Sequence, residues 1–349
     1  QKKMTEILLT IFFISVLLLF LGSGIWVAIS MIAVSSIGMI LFTTRPVGDA
    51  MATTIWGASS SWTLTALPLF IWMGEILFRT KLSENLFEGL SPWMQKLPGG
   101  LIHVNIVGCG LFAAISGSSA ATVATVGKMS IPELRKRKYP ESILLGSLAG
   151  SGTLGLLIPP SIILIIYGVT VQESIAKLFI AGILPGIMIA LIFMVYVMIW
   201  SSINKKSMPN FKQDYSFMEK VRKSGKLIPV ILLILSVIGS IYTGIATATE
   251  AASLGVVGAL ILSYFQKSLS LKTFKDSLLG ATKTSCMIAF ILAGATFLSL
   301  AMGFTGLPRN LALWIEGMEL SPYVLIFVLM IFYIILGMFL DGISAVVLT

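Results

Sequence analysis

The residues best suited to chemistry in this chain are small and polar, and they stand inside its most apolar stretches. Ser116-Gly117-Ser118-Ser119-Ala120-Ala121-Thr122 interrupts the run Leu101–Lys128. Gly150-Ser151-Gly152-Thr153-Leu154-Gly155 and Pro159-Pro160-Ser161 interrupt the run Tyr139–Val169. A third interrupted run, Ser285–Trp314, carries Gly294-Ala295-Thr296 and Met302-Gly303-Phe304-Thr305-Gly306, and the last run carries Asp341-Gly342-Ile343-Ser344. Hydroxyls and freed backbone carbonyls suit a hard monovalent cation such as Na⁺. Helix N-termini exposed at a break suit a carboxylate. One cation site is therefore expected over Ser116–Thr122 and Gly150–Ser161, with Ser116, Gly117, Ser118, Gly150, Gly152 and Pro159 as candidate ligands. A second is expected over Gly294–Gly306 and Asp341–Thr349, with Gly303, Thr305, Asp341, Gly342, Ser344 and Thr349. Ser116, Ser119, Ser161 and Asp341 are the candidate substrate contacts, Asp341 because an intramembrane carboxylate is functional by default.

Other titratable residues read more plainly. Glu250, in Thr247-Ala248-Thr249-Glu250, fits either an intramembrane functional acid or a cap at a helix start. Glu75 and Arg79 are four apart, the spacing of a helical ion pair. His103 is the only histidine, and the two cysteines, Cys109 and Cys286, form no CxxC pair. That inventory excludes a catalytic triad and gives no zinc or iron site and no disulfide framework. No GxSxG, HExxH or Walker A motif is present, so the chain reads as neither an enzyme nor an ATP-driven pump.

These residues must be positioned by membrane helices. Apolar residues make up 56% of the 349 residues and charged ones only 11%, with mean hydropathy +0.98. A soluble globular chain carries about 25% charged residues. Runs near 20 residues recur, long enough to cross ~30 Å of hydrocarbon as helices. The fold class is all-α and polytopic. The net charge of +9 sits in the connections. Lys128–Lys138 and Asn204–Lys226, the latter with seven Lys/Arg, are placed in the cytoplasm by the positive-inside rule. Spans are expected at Met4–Leu21, Ile25–Phe42, Trp56–Phe78 (broken at Ser59-Ser60-Ser61 and Pro68), Ile175–Trp200, Leu227–Thr243 and Ala246–Phe265. Ser83–Leu97, with Leu86, Leu90 and Trp93 on one face, and Leu269–Lys283 read as interfacial helices. The run Leu101–Lys128 reads as a re-entrant hairpin with its tip at Ser116–Thr122, because two half-helices of about 13 residues cannot each span a bilayer. Tyr139–Val169 reads as a discontinuous helix, since three glycines and a Pro-Pro pair do not sustain a continuous one.

A shift of 187 positions carries Gly155 onto Gly342, the run 101–128 onto 288–315, and the stretch 83–97 onto 270–284. Two copies of span, surface helix, hairpin and broken helix are how repeat-built secondary transporters place a site near the midplane. An inverted repeat requires an odd number of spans between the loop 204–226 and the second hairpin, and two are counted. The second copy stops soon after Gly342, so further sequence is expected beyond Thr349. The bottom-up reading is an ion-coupled transporter of a small organic anion. The alternatives are a stand-alone symporter and a channel with re-entrant loops.

Leu97-Pro98-Gly99-Gly100-Leu101, Phe112-Ala113-Ala114-Ile115-Ser116-Gly117-Ser118, Ile158-Pro159-Pro160-Ser161-Ile162 and Tyr167-Gly168 resemble the large membrane subunit of tripartite ATP-independent periplasmic (TRAP) transporters. Tyr242–Ala252 and Gly337-Met338-Phe339-Leu340-Asp341 match later blocks of that family, and the tip Ser118-Ser119-Ala120-Ala121-Thr122 is most similar to its sialic acid branch. The resemblance implies an elevator-type, Na⁺-driven importer in the bacterial inner membrane. It implies two partners, a small four-helix membrane subunit and a soluble periplasmic substrate-binding protein, and cation sites at both hairpin tips. On that reading 1–97 are scaffold helices with a first interfacial arm, and 98–169 are the first transport repeat. Residues 170–283 are scaffold helices with a second arm, and 284–349 begin the second transport repeat.

Overall fold

The computed structural model describes residues 2–80, 82–209, 215–338 and 342–348, and among them there are helices and no strands. In chain order the helices begin with α1 (Lys2–Gly22), α2 (Val27–Phe42), α3 (Val47–Ser59), α4 (Ala66–Phe78) and α5 (Leu82–Met94). Then come α6 (Ile102–Ser116), α7 (Ser119–Lys136), α8 (Glu141–Gly152), α9 (Ile162–Val171) and α10 (Ile175–Ile203). The rest are α11 (Phe217–Ser224), α12 (Ile228–Tyr242), α13 (Ala248–Phe265), α14 (Leu271–Thr305), α15 (Leu307–Glu316), α16 (Pro322–Gly337) and α17 (Gly342–Leu348). By length and composition, four described stretches suit a membrane crossing: Ile175–Ile203, Phe217–Tyr242, Ala248–Phe265 and Leu271–Thr305.

The chain divides into two compact units, Thr63–Ser285 and the combination of Gln1–Trp62 with Cys286–Thr349. The larger unit is built on α4 and α13. Ala251, Ala252, Gly255 and Ala259 form a buried small-residue face on α13. A Cβ at Gly255 would fall 2.5 Å from the Met73 sulfur of α4, so the glycine leaves room for that side chain between the two helices. Phe70 of α4 meets Phe179 of α10 edge to face at 6.1 Å, adding about 0.5–1.5 kcal/mol beyond burial. Around this pair α6 packs on α4, α5, α7 and α8.

The arm α5 is amphipathic as read. Leu86, Phe87 and Leu90 are buried, and Glu88 pairs with Lys226. Trp93 instead stays half-exposed, its indole N–H donating to Ser224 Oγ at 2.8 Å and its ring edge-on to Phe217. The connection 204–226 is thus partly structured: α11 starts with a capping box of Ser216 and Glu219.

In the smaller unit Met39 of α2 and Phe297 and Ala301 of α14 form a closed core, joined by Val47, Ala50 and Met51 of α3. The expected span Trp56–Phe78 breaks at Ser60-Ser61 as read, but Pro68 breaks nothing. It lies in the first turn of α4, where a missing N–H removes no helical bond. The run Ser285–Trp314 is corrected more substantially. Interruptions are expected around both Gly294-Ala295-Thr296 and Met302–Gly306; the second forms, at Gly306, while α14 runs unbroken from Leu271 to Thr305 through the first, absorbing most of the expected surface helix as well. A Cβ on Gly294 would lie 2.8 Å from the Ala28 carbonyl, and Thr296 Oγ1 donates to Leu292 O at 2.7 Å. The small residues there serve a tight helix crossing. Gly306, at φ +73°, makes the only turn in that run.

Candidate functional site

Glycine builds the first hairpin. α6 ends at Ser116, Gly117 takes the left-handed conformation at φ +57°, and Ser118 returns to extended backbone to start α7. Ser118 Oγ accepts the Ala121 N–H at 3.4 Å, so Ser119–Thr122 form the first turn of α7. The tip is therefore narrower than the expected Ser116–Thr122. Its hydroxyls tie it together: Ser116 Oγ lies 2.9 Å from Thr122 Oγ1, and Thr122 Oγ1 donates to Ser118 O at 2.7 Å.

The discontinuous helix forms as the glycines and prolines dictate. α8 stops at Gly152, a single 3₁₀ turn covers Thr153–Leu156, and α9 begins after Ser161. Ser161 is fully buried and donates to Leu156 O at 2.6 Å, bracing the break. Among the described residues no side chain caps α9, so its positive end faces the backbone of the tip.

The tip and the break are in contact. The Ile162 N–H donates to Gly117 O at 3.4 Å. A Cβ on Gly117 would stand 2.9 Å from Pro160 O and 3.0 Å from Ile162 N, and one on Gly155 would stand 2.9 Å from the Ser118 carbonyl carbon. Gly152 meets Val123 and lies near Ser119 O. Ser116, Gly117, Ser118, Ser119, Gly152, Pro159 and Ser161 thus belong to the tip, the break or the contact between them. Gly150 does not join them. It faces the Phe193 ring of α10, and its carbonyl accepts Thr153 Oγ1 at 2.7 Å. The C-terminal ends of α6 and α8 present carbonyls and the starts of α7 and α9 present N–H groups, the complement a cation and an anion require.

The second candidate site is described only in part. Gly303 lies in the last turn of α14, and Thr305 ends that helix with Oγ1 donating to Met302 O at 2.7 Å. Gly342 and Ser344 are in α17, which packs on α16. Asp341 and Thr349 lie outside the described residues.

Four acids and bases resolve as follows. Glu250 is a cap: its carboxylate accepts the Thr247 N–H and hydroxyl, both at 2.8 Å, completing a capping box. Glu75 and Arg79 form the expected ion pair at 2.9 Å. His103 sits at the start of α6, 2.8 Å from Pro98 O, and is fully buried. Sequence reasoning missed Gly74: a Cβ there would stand 3.0 Å from Ser116 Cα, so the glycine lets α4 pass close to the end of α6. The signal was a Gly-Glu pair inside an apolar run, Trp72-Met73-Gly74-Glu75.

Long apolar helices around a hairpin tip seated in a helix break define a multi-pass membrane protein of the transporter class. Residues 13–349 match the family of the tripartite ATP-independent periplasmic transporter, DctM component, and the chain belongs to that family. It is 33% identical over 301 residues to the C4-dicarboxylate TRAP transporter large permease protein of Pseudomonas aeruginosa, covering 86% of this chain and 69% of that relative. It is 33% identical over 341 residues to the ectoine/5-hydroxyectoine TRAP transporter large permease protein of Ruegeria pomeroyi, covering 97% and 78%. With the isethionate TRAP transporter permease protein of Oleidesulfovibrio alaskensis it shares 32% identity, and there it spans about half of the relative's length (52%).

Proposed function

We propose that this chain is the transport subunit of a sodium-coupled importer of a small carboxylate, working in the inner membrane by an elevator mechanism. The observation that carries the reading is the contact of Gly117 and Ser118 with Pro160, Ile162 and Gly155. Such an arrangement of half-helix ends is what binding of a cation and a carboxylate together requires. Na⁺ is assigned to the first site through Ser116, Gly117, Ser118, Gly152 and Pro159, and Gly150 takes part only if its helix end rearranges. A second Na⁺ is assigned to Gly303, Thr305, Asp341, Gly342, Ser344 and Thr349. Ser116, Ser119, Ser161 and Asp341 hold the substrate.

Membership of the family supports two partners, a small four-helix membrane subunit and a periplasmic binding protein that delivers the substrate. The relatives' names span C4-dicarboxylates, isethionate and ectoine, which supports a small charged solute as the substrate class. Within that class N-acetylneuraminate is the specific proposal, resting on the tip Ser118-Ser119-Ala120-Ala121-Thr122. In the elevator, residues 98–169 and 284–349 move as two repeats against the scaffold of 1–97 and 170–283.

The test is uptake into proteoliposomes holding both membrane subunits, with the binding protein outside. Saturable uptake driven by a Na⁺ gradient and lost in Ser116→Ala and Asp341→Ala is expected. Ohmic current without substrate would make the protein a channel. Unchanged uptake in both variants would sink the site assignment.

A further inference from the structure

A cavity of about 320 Å³ opens between α4 and the first hairpin tip, within the usual size range of a small-molecule site. Gly74, Glu75 and Phe78 of α4 line one side, and Ser116 and Ser118 of the tip line the other. Among the described residues Glu75 is the only ionisable one in its wall. Glu75 and Arg79 are partly buried, and an ion pair drawn out of water gains little once desolvation is counted, so pairing alone is a weak reason to place a carboxylate on so apolar a helix.

The surroundings fix the carboxylate in place. Arg79 donates to Glu75 Oε2 at 2.9 Å, and the same guanidinium nitrogen donates to Asp276 O of α14 at 3.1 Å. On α14, a Cβ at Gly280 would lie 2.8 Å from Glu75 Oε2, so a glycine there is what leaves room for the carboxylate. Trp72, one turn before Ile76, holds the same face by donating to Ser277 Oγ at 3.3 Å. Oε1 accepts no hydrogen bond among the described residues, although a carboxylate has about four acceptor positions. One oxygen is thus held by the protein, and the other keeps its acceptor positions in a side chain that lines the cavity.

We infer that Glu75 is a specificity-determining residue: it accepts a hydrogen bond from a hydroxyl or amide N–H of a substrate whose carboxylate lies at the hairpin tip. This rests on the proposed function and adds α4 as a wall of the substrate site. Because Arg79 balances the charge of Glu75, the cavity attracts a neutral donor more than a full cation. A second carboxylate there is acceptor-only, has no proton to give Glu75, and is disfavoured. The subsite therefore takes the polar, hydroxylated end of a monocarboxylate and selects against C4-dicarboxylates.

The experiment uses the two-subunit membrane complex in saturating Na⁺, titrated with N-acetylneuraminate and with succinate. Loss of a charge-assisted hydrogen bond weakens binding about 10- to 100-fold. Glu75→Ala is expected to weaken N-acetylneuraminate by that factor, to narrow its preference over succinate, and to leave the half-saturating Na⁺ concentration unchanged. Gly280→Ala keeps the ion pair but pushes the carboxylate, and an intermediate weakening is expected; it decides the matter if Glu75→Ala does not fold. Unchanged N-acetylneuraminate affinity in the folded variants, or a shift confined to Na⁺, overturns the inference. A wild-type complex that binds neither compound overturns the proposed function itself.

Discussion

Replacing Gly117 by alanine tests the contact on which the site depends. Two penalties act at once. A side chain in the left-handed region costs roughly 1–2 kcal/mol, and the φ of Gly117 is +57°. The new Cβ also meets backbone, 2.9 Å from Pro160 O and 3.0 Å from Ile162 N, where no flexible side chain can yield. Overpacking of this kind costs about 1–3 kcal/mol. The sum is about 2–5 kcal/mol, shared between lower stability and a tip lifted off the break. Gly155→Ala isolates the second penalty, because its Cβ meets Ser118 at 2.9 Å without a positive φ. Gly239→Ala in α12 is the control, with nothing within 4 Å of its Cβ. Thermal unfolding in detergent and Na⁺-driven uptake are to be measured on all three. Losses should rank Gly117→Ala, then Gly155→Ala, with Gly239→Ala close to wild type. A Gly117→Ala protein as stable and active as the control would refute the apposition of tip and break.

Glu250→Gln should leave stability and uptake nearly unchanged, since Gln also completes a capping box, while Glu250→Ala should lower the unfolding temperature slightly; a Gln variant without uptake would restore a functional charge at Glu250. Tyr139→Phe removes the acceptor of the buried Leu101 N–H, 3.1 Å away, and should lower stability by about 1–3 kcal/mol in the same unfolding assay. Arg135 donates to both oxygens of Glu141, at 2.6 and 3.0 Å, and holds that carboxyl below its ordinary value of 4.5. A carboxyl lowered in the folded state adds stability above the ordinary value and loses it as pH falls further. Glu141→Gln should therefore lower the unfolding temperature slightly at pH 7 and by less as pH falls below the ordinary carboxyl range; equal differences at pH 7 and in acid would exclude the pair.

The parts of the fold that sequence made legible are those where one residue type has one physical use. Pro159-Pro160 with three nearby glycines cannot continue a helix, so the break between α8 and α9 was readable. Gly117 was readable as part of a tip for the same reason. The misreadings occurred where a small residue has two uses. Gly294 and Thr296 resemble Gly117 and Ser118 in composition, but they serve a close crossing against Ala28 inside an unbroken helix. Composition does not separate these cases, but a cap does: a tip has a capping serine after its glycine, whereas a crossing has a partner helix distant in sequence. Ser118, accepting from Ala121 N–H, was that local mark at the first hairpin, and Gly294-Ala295-Thr296 lacks it.

The same distinction bears on α4. Gly74 and Glu75 are adjacent, and each alone has a structural explanation, a helix contact and an ion pair. Together they do more, because the contact made through Gly74 sets the distance between the Glu75 carboxylate and the hydroxyls of the tip. Gly74→Ala should therefore act as a specificity variant as well as a packing variant. It moves α4 from Ser116 by a few tenths of an ångström, the relief that a Cβ at 3.0 Å demands, and it leaves every polar group present. If the substrate bridges from the tip to Glu75, this displacement should weaken a long hydroxylated carboxylate more than a short one. If Glu75 only braces α4 against α14, both should weaken alike, or neither.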